Sequence, residues 1–157
     1  MRNVFFPEEE VTKNDLYFVC SMIERIARKL KQRNKYVVNG IGKAELEKKL
    51  SVANVQHSEN PDAVVHQWIE DFDLKEGDFD ITNVNPDLAT IIPTPLQMGK
   101  VYTRLILATI LHSENYADGI LRVYNNPICE IIDNYNSSAF YEPSYFITRA
   151  YYQGSFN

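Results

Sequence analysis

At 157 residues, 45% of them hydrophobic and 24% charged, with a formal net charge of −5, the chain is long enough for one buried core and too short for two ordinary ones. That balance favours neither a disordered nor a fibrous class, the absence of internal repeats removes solenoid and collagen-like readings, and the acidic total counts against a general affinity for polyanions. No run reaches the roughly 18 apolar residues of a membrane span, so no membrane association is expected.

The stretch 1–10 lacks the apolar segment and small-residue cleavage site of a secretion signal. Cys20 and Cys129 sit in separate apolar runs, which points to free thiols in a reducing, cytoplasmic setting rather than a disulfide framework. The glycosylation pattern Asn136-Ser137-Ser138 is read as a chance match.

The expected fold is mainly α: a compact orthogonal multi-helix bundle forming one domain over 1–157, with a small β-ribbon considered near 79–92. A first helix is expected over about 15–33. Leu16, Val19, Cys20, Ile23, Ile26, Ala27 and Leu30 share one face, and Glu24, Arg25, Arg28, Lys29 and Lys31 lie mostly outside it. The segment 34–41 reads as a connection. Shorter helices follow at 43–53, carrying Leu46 and Leu50, and at 61–72, with Val64, Val65, Trp68, Ile69 and Phe72 inward. Residues 75–84 read as a turn followed by alternating apolar and polar side chains, and 89–92 offers a second short extended run.

Asn or Thr followed by Pro recurs at Asn60-Pro61, Asn85-Pro86, Thr94-Pro95 and Asn126-Pro127. Such a pair supplies a capping oxygen and then a residue whose missing N–H is harmless at the first helical position. Gln97 completes a capping box with Thr94, so a helix is expected over about 95–112. Leu96, Val101, Leu105, Ile106, Thr109 and Ile110 form its buried stripe, and Gly99 weakens its start. Asn85-Pro86 is compatible with a turn as well as a helix start. Further short helices are expected at 116–124, 127–135 and 144–152. Short connections among so many helices favour orthogonal packing over four long ones.

Little in the chain carries catalytic chemistry. His57, His66 and His112 are the only imidazoles. His66 and Glu70, four apart on one helix, supply two ligands where a metal needs three or four, so no metal and no cofactor is expected. The acidic run 71–80 resembles a calcium loop only superficially: with Gly77 in sixth place, Phe72 and Leu74 occupy positions that require oxygen ligands. Both cysteines fall in apolar stripes, and no serine sits in a Gly-x-Ser-x-Gly turn. The Gly40–Lys43 stretch lacks the length and hydroxyl of a phosphate loop. No catalytic residue is therefore assigned.

Two features stand out. Between Arg25 and Lys49 nine cations face two anions, a local balance of +7 that leaves −12 for the rest. Arg25, Arg28, Lys29, Lys31, Arg33 and Lys35 are candidates for a charged partner-binding face. The same charge is also suited to pairing with the acidic loop or with a second copy. Between Phe140 and Phe156 there are seven aromatics and only two charged residues. Tyr141, Tyr145, Tyr151 and Tyr152 are candidates for an aromatic binding surface, because a rigid ring joins apolar area to a hydroxyl at low entropic cost. The competing expectation is that residues 136–157 dock across the bundle and complete its core.

The leading functional expectation is a non-catalytic bacterial interaction or regulatory protein, antitoxin-like or accessory, that uses the cationic 25–49 region, the Tyr-rich C-terminal segment, or both to hold a protein partner; a homo-oligomer is considered beside it. In its basic-face form, reversing Arg28, Lys29 and Lys31 to Glu should abolish capture and leave the fold intact. The second reading is a nucleic-acid-binding regulator using 25–49, where a basic helix end and a Gly-containing turn loosely resemble a helix-turn-helix. The third is a small-substrate enzyme using His66, Glu70 or His112 beside tyrosines.

Overall fold

Local capping fixes where most helices begin. In a computed structural model describing Met1–Asn157, Thr12 and Asp15 exchange backbone and side-chain hydrogen bonds and open α1, Lys13–Leu30. The same reciprocal device, from Thr94 and Gln97, opens α5, Pro95–Thr109, and from Asn115 and Asp118 it opens α6, Tyr116–Tyr124. The Asn60 side chain accepts from the Asp62 N–H, with Pro61 at the first position of α4, Pro61–Asp71. In each case a polar side chain satisfies a backbone donor that the helix itself leaves unpaired.

Three more helices complete the chain's main architecture: α2, Asn34–Ile41, α3, Lys43–Gln56, and α8, Ser144–Gln153. A single short turn of helix, α7, covers Ile128–Ile132, and a 3₁₀ turn covers Ala139–Tyr141. The mainly helical expectation holds. Boundaries moved where left-handed backbone intervened. Lys31 adopts φ 53° and donates its N–H to the Ala27 carbonyl, which ends α1 short of Arg33. The chain then restarts as α2, so 34–41 is a helix and not the expected connection. Gly42, at φ 79°, makes the break before α3, a conformation that glycine adopts without penalty.

The expected β-ribbon at 79–92 is absent; the only bridge in the chain is an isolated one between Arg2 and Glu10. The reason lies in where the backbone of this segment finds its partners. Gly77 and Phe79 donate their N–H groups to the Leu30 and Lys31 carbonyls at 2.7 and 2.9 Å, closing the C-terminal end of α1. Thr82 N–H bonds the Asp80 side chain, while Leu88 and Ala89 turn back onto the Asn85 carbonyl. Ile81 is buried, and Phe79 and Val84 pack against the core. The alternation thus reports side chains dipping into a helical core from a loop, with no facing strand.

The helix α1 is the hub, packed against α2, α3, α4 and α5. Its buried stripe of Leu16, Val19, Cys20, Ile23, Ile26 and Ala27 meets Met98, Tyr102, Leu105 and Ile106 of α5, Leu46 and Leu50 of α3, and Trp68 of α4 in one continuous core. The expected stripe of α5 lacked Met98 and Tyr102, both fully buried, and included Leu96, which is exposed. Gly99 explains the shift. It lies against α1 so closely that an added Cβ would meet the Ser21 side-chain oxygen, with the Ser21 backbone N and Cα at 3.0 and 3.1 Å. Its missing side chain therefore sets the α1–α5 approach, and the local weakening of α5 is offset by packing.

Gly99→Ala is accordingly expected to destabilise the protein by about 1–3 kcal/mol, despite the better helix propensity of alanine. Urea unfolding checks this, and an unchanged or higher midpoint would contradict the close-approach role.

Candidate interaction site

The cationic stretch 25–49 is largely neutralised by the protein's own carboxylates. Five of its nine cations lie within 4 Å of an acid: Arg28 with Glu24 at 2.8 Å, Lys35 with Glu130 at 3.6 Å, Lys43 with Asp118 at 2.9 Å, Lys48 with Glu45 at 3.2 Å and Lys49 with Asp71 at 3.9 Å. Arg33 instead lays its guanidinium over the Phe79 ring, 4.0 Å from the centroid, in cation–π contact. Lys29 and Lys31 remain exposed, and Arg25 is half-buried. Of the six charged-face candidates, these three are left without a carboxylate or an aromatic ring beside them.

Arg28 belongs to an internal network rather than to a surface. Glu24, only 1% exposed, accepts from Arg28 Nε at 2.8 Å, from the Tyr135 hydroxyl at 2.8 Å and from Asn34 Nδ2 at 3.1 Å. Arg28 also donates to the Pro93 carbonyl and lies 5.6 Å from the Tyr135 ring centroid. Asn34 Nδ2 is shared with Asp133 at 3.1 Å, and Asp133 accepts the Tyr102 hydroxyl at 2.6 Å. Tyr102 in turn stacks on Tyr124, centroids 4.3 Å apart. A buried carboxylate persists only with such a set of donors around it. Glu24 sits between Cys20 and Ala27 in the apolar stripe of α1, and that interruption was the sequence signal for this network.

Burial, reinforced by the Glu24 charge and opposed by the Tyr102 and Asn34 hydrogen bonds, pushes the Asp133 carboxyl up to about 8. An acid held above its unfolded value of ~3.9 binds its proton more tightly when folded, so its ionisation weakens the fold progressively as pH rises between those two values. The thiols are held protonated for the same reason. Burial raises Cys20 to about 11 and Cys129 well above its ordinary range, and Cys129 donates to the Val123 carbonyl. Such thiols are poor nucleophiles. His66 and Glu70 are both exposed on α4, and no three His, Cys, Asp or Glu side chains converge as metal ligands would.

The aromatic segment divides into an anchored and an outward part. Ile147 and Ala150 of α8 are buried against the core. Tyr151 is half-buried and accepts a hydrogen bond from Arg122 at 2.7 Å. Arg122 also bonds both Glu114 oxygens and the Thr109 carbonyl at the end of α5, tying α5, α6 and α8 together. Tyr145 and Tyr152, seven apart, share the outward stripe of α8 with Arg149, while Tyr141 stands out just before the helix. These three tyrosines are 73%, 66% and 84% exposed, respectively.

Between α5 and the 140–147 segment runs a cleft of about 330 Å³. Leu105, Phe140 and Ile147 are among its apolar lining residues, with Tyr141, Lys100 and Arg104 also lining it. Glu142, half-buried, is the one acid in its lining, and residues 93–113 and 143–157 contain none. Lys100 and Arg104 are exposed, with no carboxylate within ion-pairing distance. An excess of positive charge beside an apolar cleft therefore lies on α5, outside the 25–49 stretch. Sequence spacing alone contained a hint of it, since Leu96, Lys100 and Arg104 recur every four residues on one helix face.

No helix is long and apolar enough to cross a membrane. No family model, no curated protein sequence and no solved structure matches the chain.

Two outcomes follow from the network. Arg28→Glu would set a second carboxylate against buried Glu24 and is expected to cost about 3–5 kcal/mol, whereas Lys29→Glu with Lys31→Glu should leave the unfolding midpoint nearly unchanged. A thermal melt of each protein distinguishes these, and equal losses would contradict the internal role of Arg28. Wild-type stability in urea should also fall between pH 6 and pH 8 and level off above, with a slope of at most about 1.4 kcal/mol per pH unit. In Asp133→Asn that decline should vanish, since an amide there has no proton to lose and can donate to Asn34 Oδ1, which has no hydrogen-bond partner. A variant that tracks the wild-type pH profile would exclude Asp133 as its source.

Proposed function

We propose that this chain is a non-catalytic protein-interaction module, regulatory or accessory in role, whose docking face is the surface shared by α5 and α8. The observation that carries this reading is the exposure of Tyr141, Tyr145 and Tyr152 around a backbone anchored by Ile147, Ala150 and Tyr151. Large aromatic rings held outward on an ordered scaffold lose little entropy on binding, and such residues dominate the energetics of protein interfaces. The cleft beside Tyr141 offers an apolar recess of the size of a side chain, rimmed by Lys100 and Arg104, which is the arrangement of an apolar centre with a polar edge.

A nucleic-acid reading retains Arg25, Lys29 and Lys31 as free cations on the 25–49 stretch. Its electrostatic support is reduced by the five internal ion pairs and the net charge of −5, because phosphate affinity scales with the number of cations able to release counterions.

The test is affinity purification of a tagged copy from its native host at low and moderate salt, in parallel with a Tyr141→Ala, Tyr145→Ala, Tyr152→Ala variant whose far-UV circular dichroism matches the wild type. A stoichiometric protein that survives moderate salt with the wild type and is lost from the variant is the expected result. Equal capture by both would remove the α5–α8 face as the docking site, and nucleic acid that washes away with salt would favour the second reading.

A further inference from the structure

The N-terminal loop presents the chemical complement of the α5–α8 cleft. Phe5 and Phe6 are 50% and 55% exposed, and Glu8, Glu9 and Glu10 beside them are also exposed. This loop is held in shape. Asn3, itself buried, donates to the Ser51 carbonyl of α3 at 2.7 Å, and its side-chain oxygen accepts from the Phe5 and Phe6 N–H groups at 2.8 and 3.0 Å. The Val4 N–H bonds the Ser51 hydroxyl at 2.9 Å. Backbone bonds from Glu9 to Phe6, Asn3 to Glu9 and Val11 to Met1 close the loop on itself. Two phenyl rings followed by carboxylates are thus displayed on a preformed knuckle, with the ordering entropy already spent in folding.

We infer that the α5–α8 cleft receives the N-terminal loop of a second copy of this chain, with Phe5 or Phe6 seated among Leu105, Phe140, Tyr141 and Ile147 and with Glu8 and Glu9 facing Lys100 and Arg104. This rests on the reading of α5–α8 as a docking face and names its occupant. Charge complementarity carries the choice. The cleft is lined by two cations that have no carboxylate within ion-pairing distance and by a single, half-buried acid, Glu142, so cations outnumber acids there, and the loop sets acidic side chains next to exposed aromatic ones. Within one chain the loop is pinned to α3 by Ser51, while the cleft belongs to α5 and the 140–147 segment.

Because the loop and the cleft are different surfaces, the contact is head-to-tail, and each dimer retains one free loop and one free cleft. A loop this small buries less than a standard interface, which puts the association in the weak and transient class, and the carboxylate–cation pairs make it salt-sensitive.

Sedimentation velocity of the full chain, free of any N-terminal tag, tests this across a range of concentrations at low and moderate salt. The expected result is concentration-dependent growth beyond the monomer that recedes as salt rises. Phe5→Ser with Phe6→Ser (loop variant) and Lys100→Glu with Arg104→Glu (cleft variant) are each expected to weaken self-association by about tenfold or more, with circular dichroism and urea midpoints confirming that both remain folded. Mixed in equal amounts, the two variants should form dimers and nothing larger, because only the intact cleft of one and the intact loop of the other can meet. A wild type that stays monomeric, a variant that associates like the wild type, or a mixture that stays monomeric overturns the inference. If the wild type is monomeric yet captures a host protein through its exposed tyrosines, the docking face stands and its occupant is a foreign chain.

Discussion

The buried carboxylate of Glu24 is the constraint around which much of the molecule is arranged. Placing an ionised group in the apolar stripe of α1 carries a desolvation penalty of several kcal/mol unless donors surround it, and those donors come from both near and distant parts of the chain. Arg28 comes from the next turn of the same helix, Asn34 from the start of α2, and Tyr135 from beyond α7. Arg28 then grips the Pro93 carbonyl just ahead of α5. Through Asn34 the network extends to Asp133 and the α5 residue Tyr102. One charge therefore fixes where α1, α2, the approach to α5 and the 133–135 segment stand relative to one another, which apolar packing alone specifies less uniquely.

The outward features depend on that internal arrangement. Tyr135 meets Phe140 edge to face, with ring centroids 5.5 Å apart, and Phe140 lines the cleft between α5 and the 140–147 segment. The same polar core that satisfies Glu24 thus supports one wall of the candidate docking face. Arg122 supplies a second anchor by bridging Glu114, the last turn of α5 and Tyr151. With α8 anchored by Ile147, Ala150 and Tyr151, Tyr145 and Tyr152 face solvent, where they are available to a partner.

Charge is redistributed by folding. Along the sequence the positive region is 25–49, yet in space most of it is cancelled by Glu24, Glu45, Asp71, Asp118 and Glu130. On α5, Lys100 and Arg104 are few and unremarkable in the sequence, but no carboxylate comes within ion-pairing distance of them, and Glu142 is the one acid that lines the cleft with them. What a partner meets is the field that remains after internal pairing, and for this protein one part of it sits beside the aromatic cleft, apart from the free Arg25, Lys29 and Lys31.

Signals local to a few residues were legible in the sequence. The capping box of Thr94 and Gln97, the Asn60-Pro61 start, the apolar stripe of α1 and the extents of α4, α6 and α8 all follow from neighbours within one or two helical turns, where backbone donors and side-chain periodicity decide the outcome. Tertiary structure decided the rest, because the deciding partners are remote in sequence. The left-handed Lys31 and the bonds from Gly77 and Phe79 convert an expected ribbon into a loop that closes α1. Glu24 and Arg28 move inward because Asn34, Pro93 and Tyr135 arrive to satisfy them. Tyr151 and Tyr152, adjacent in sequence, part company because only the first is turned toward Arg122. Periodicity specifies which side of a helix is apolar, but which polar groups can be afforded inside, and which aromatic ones are left outside, depends on the donors and surfaces that folding brings alongside.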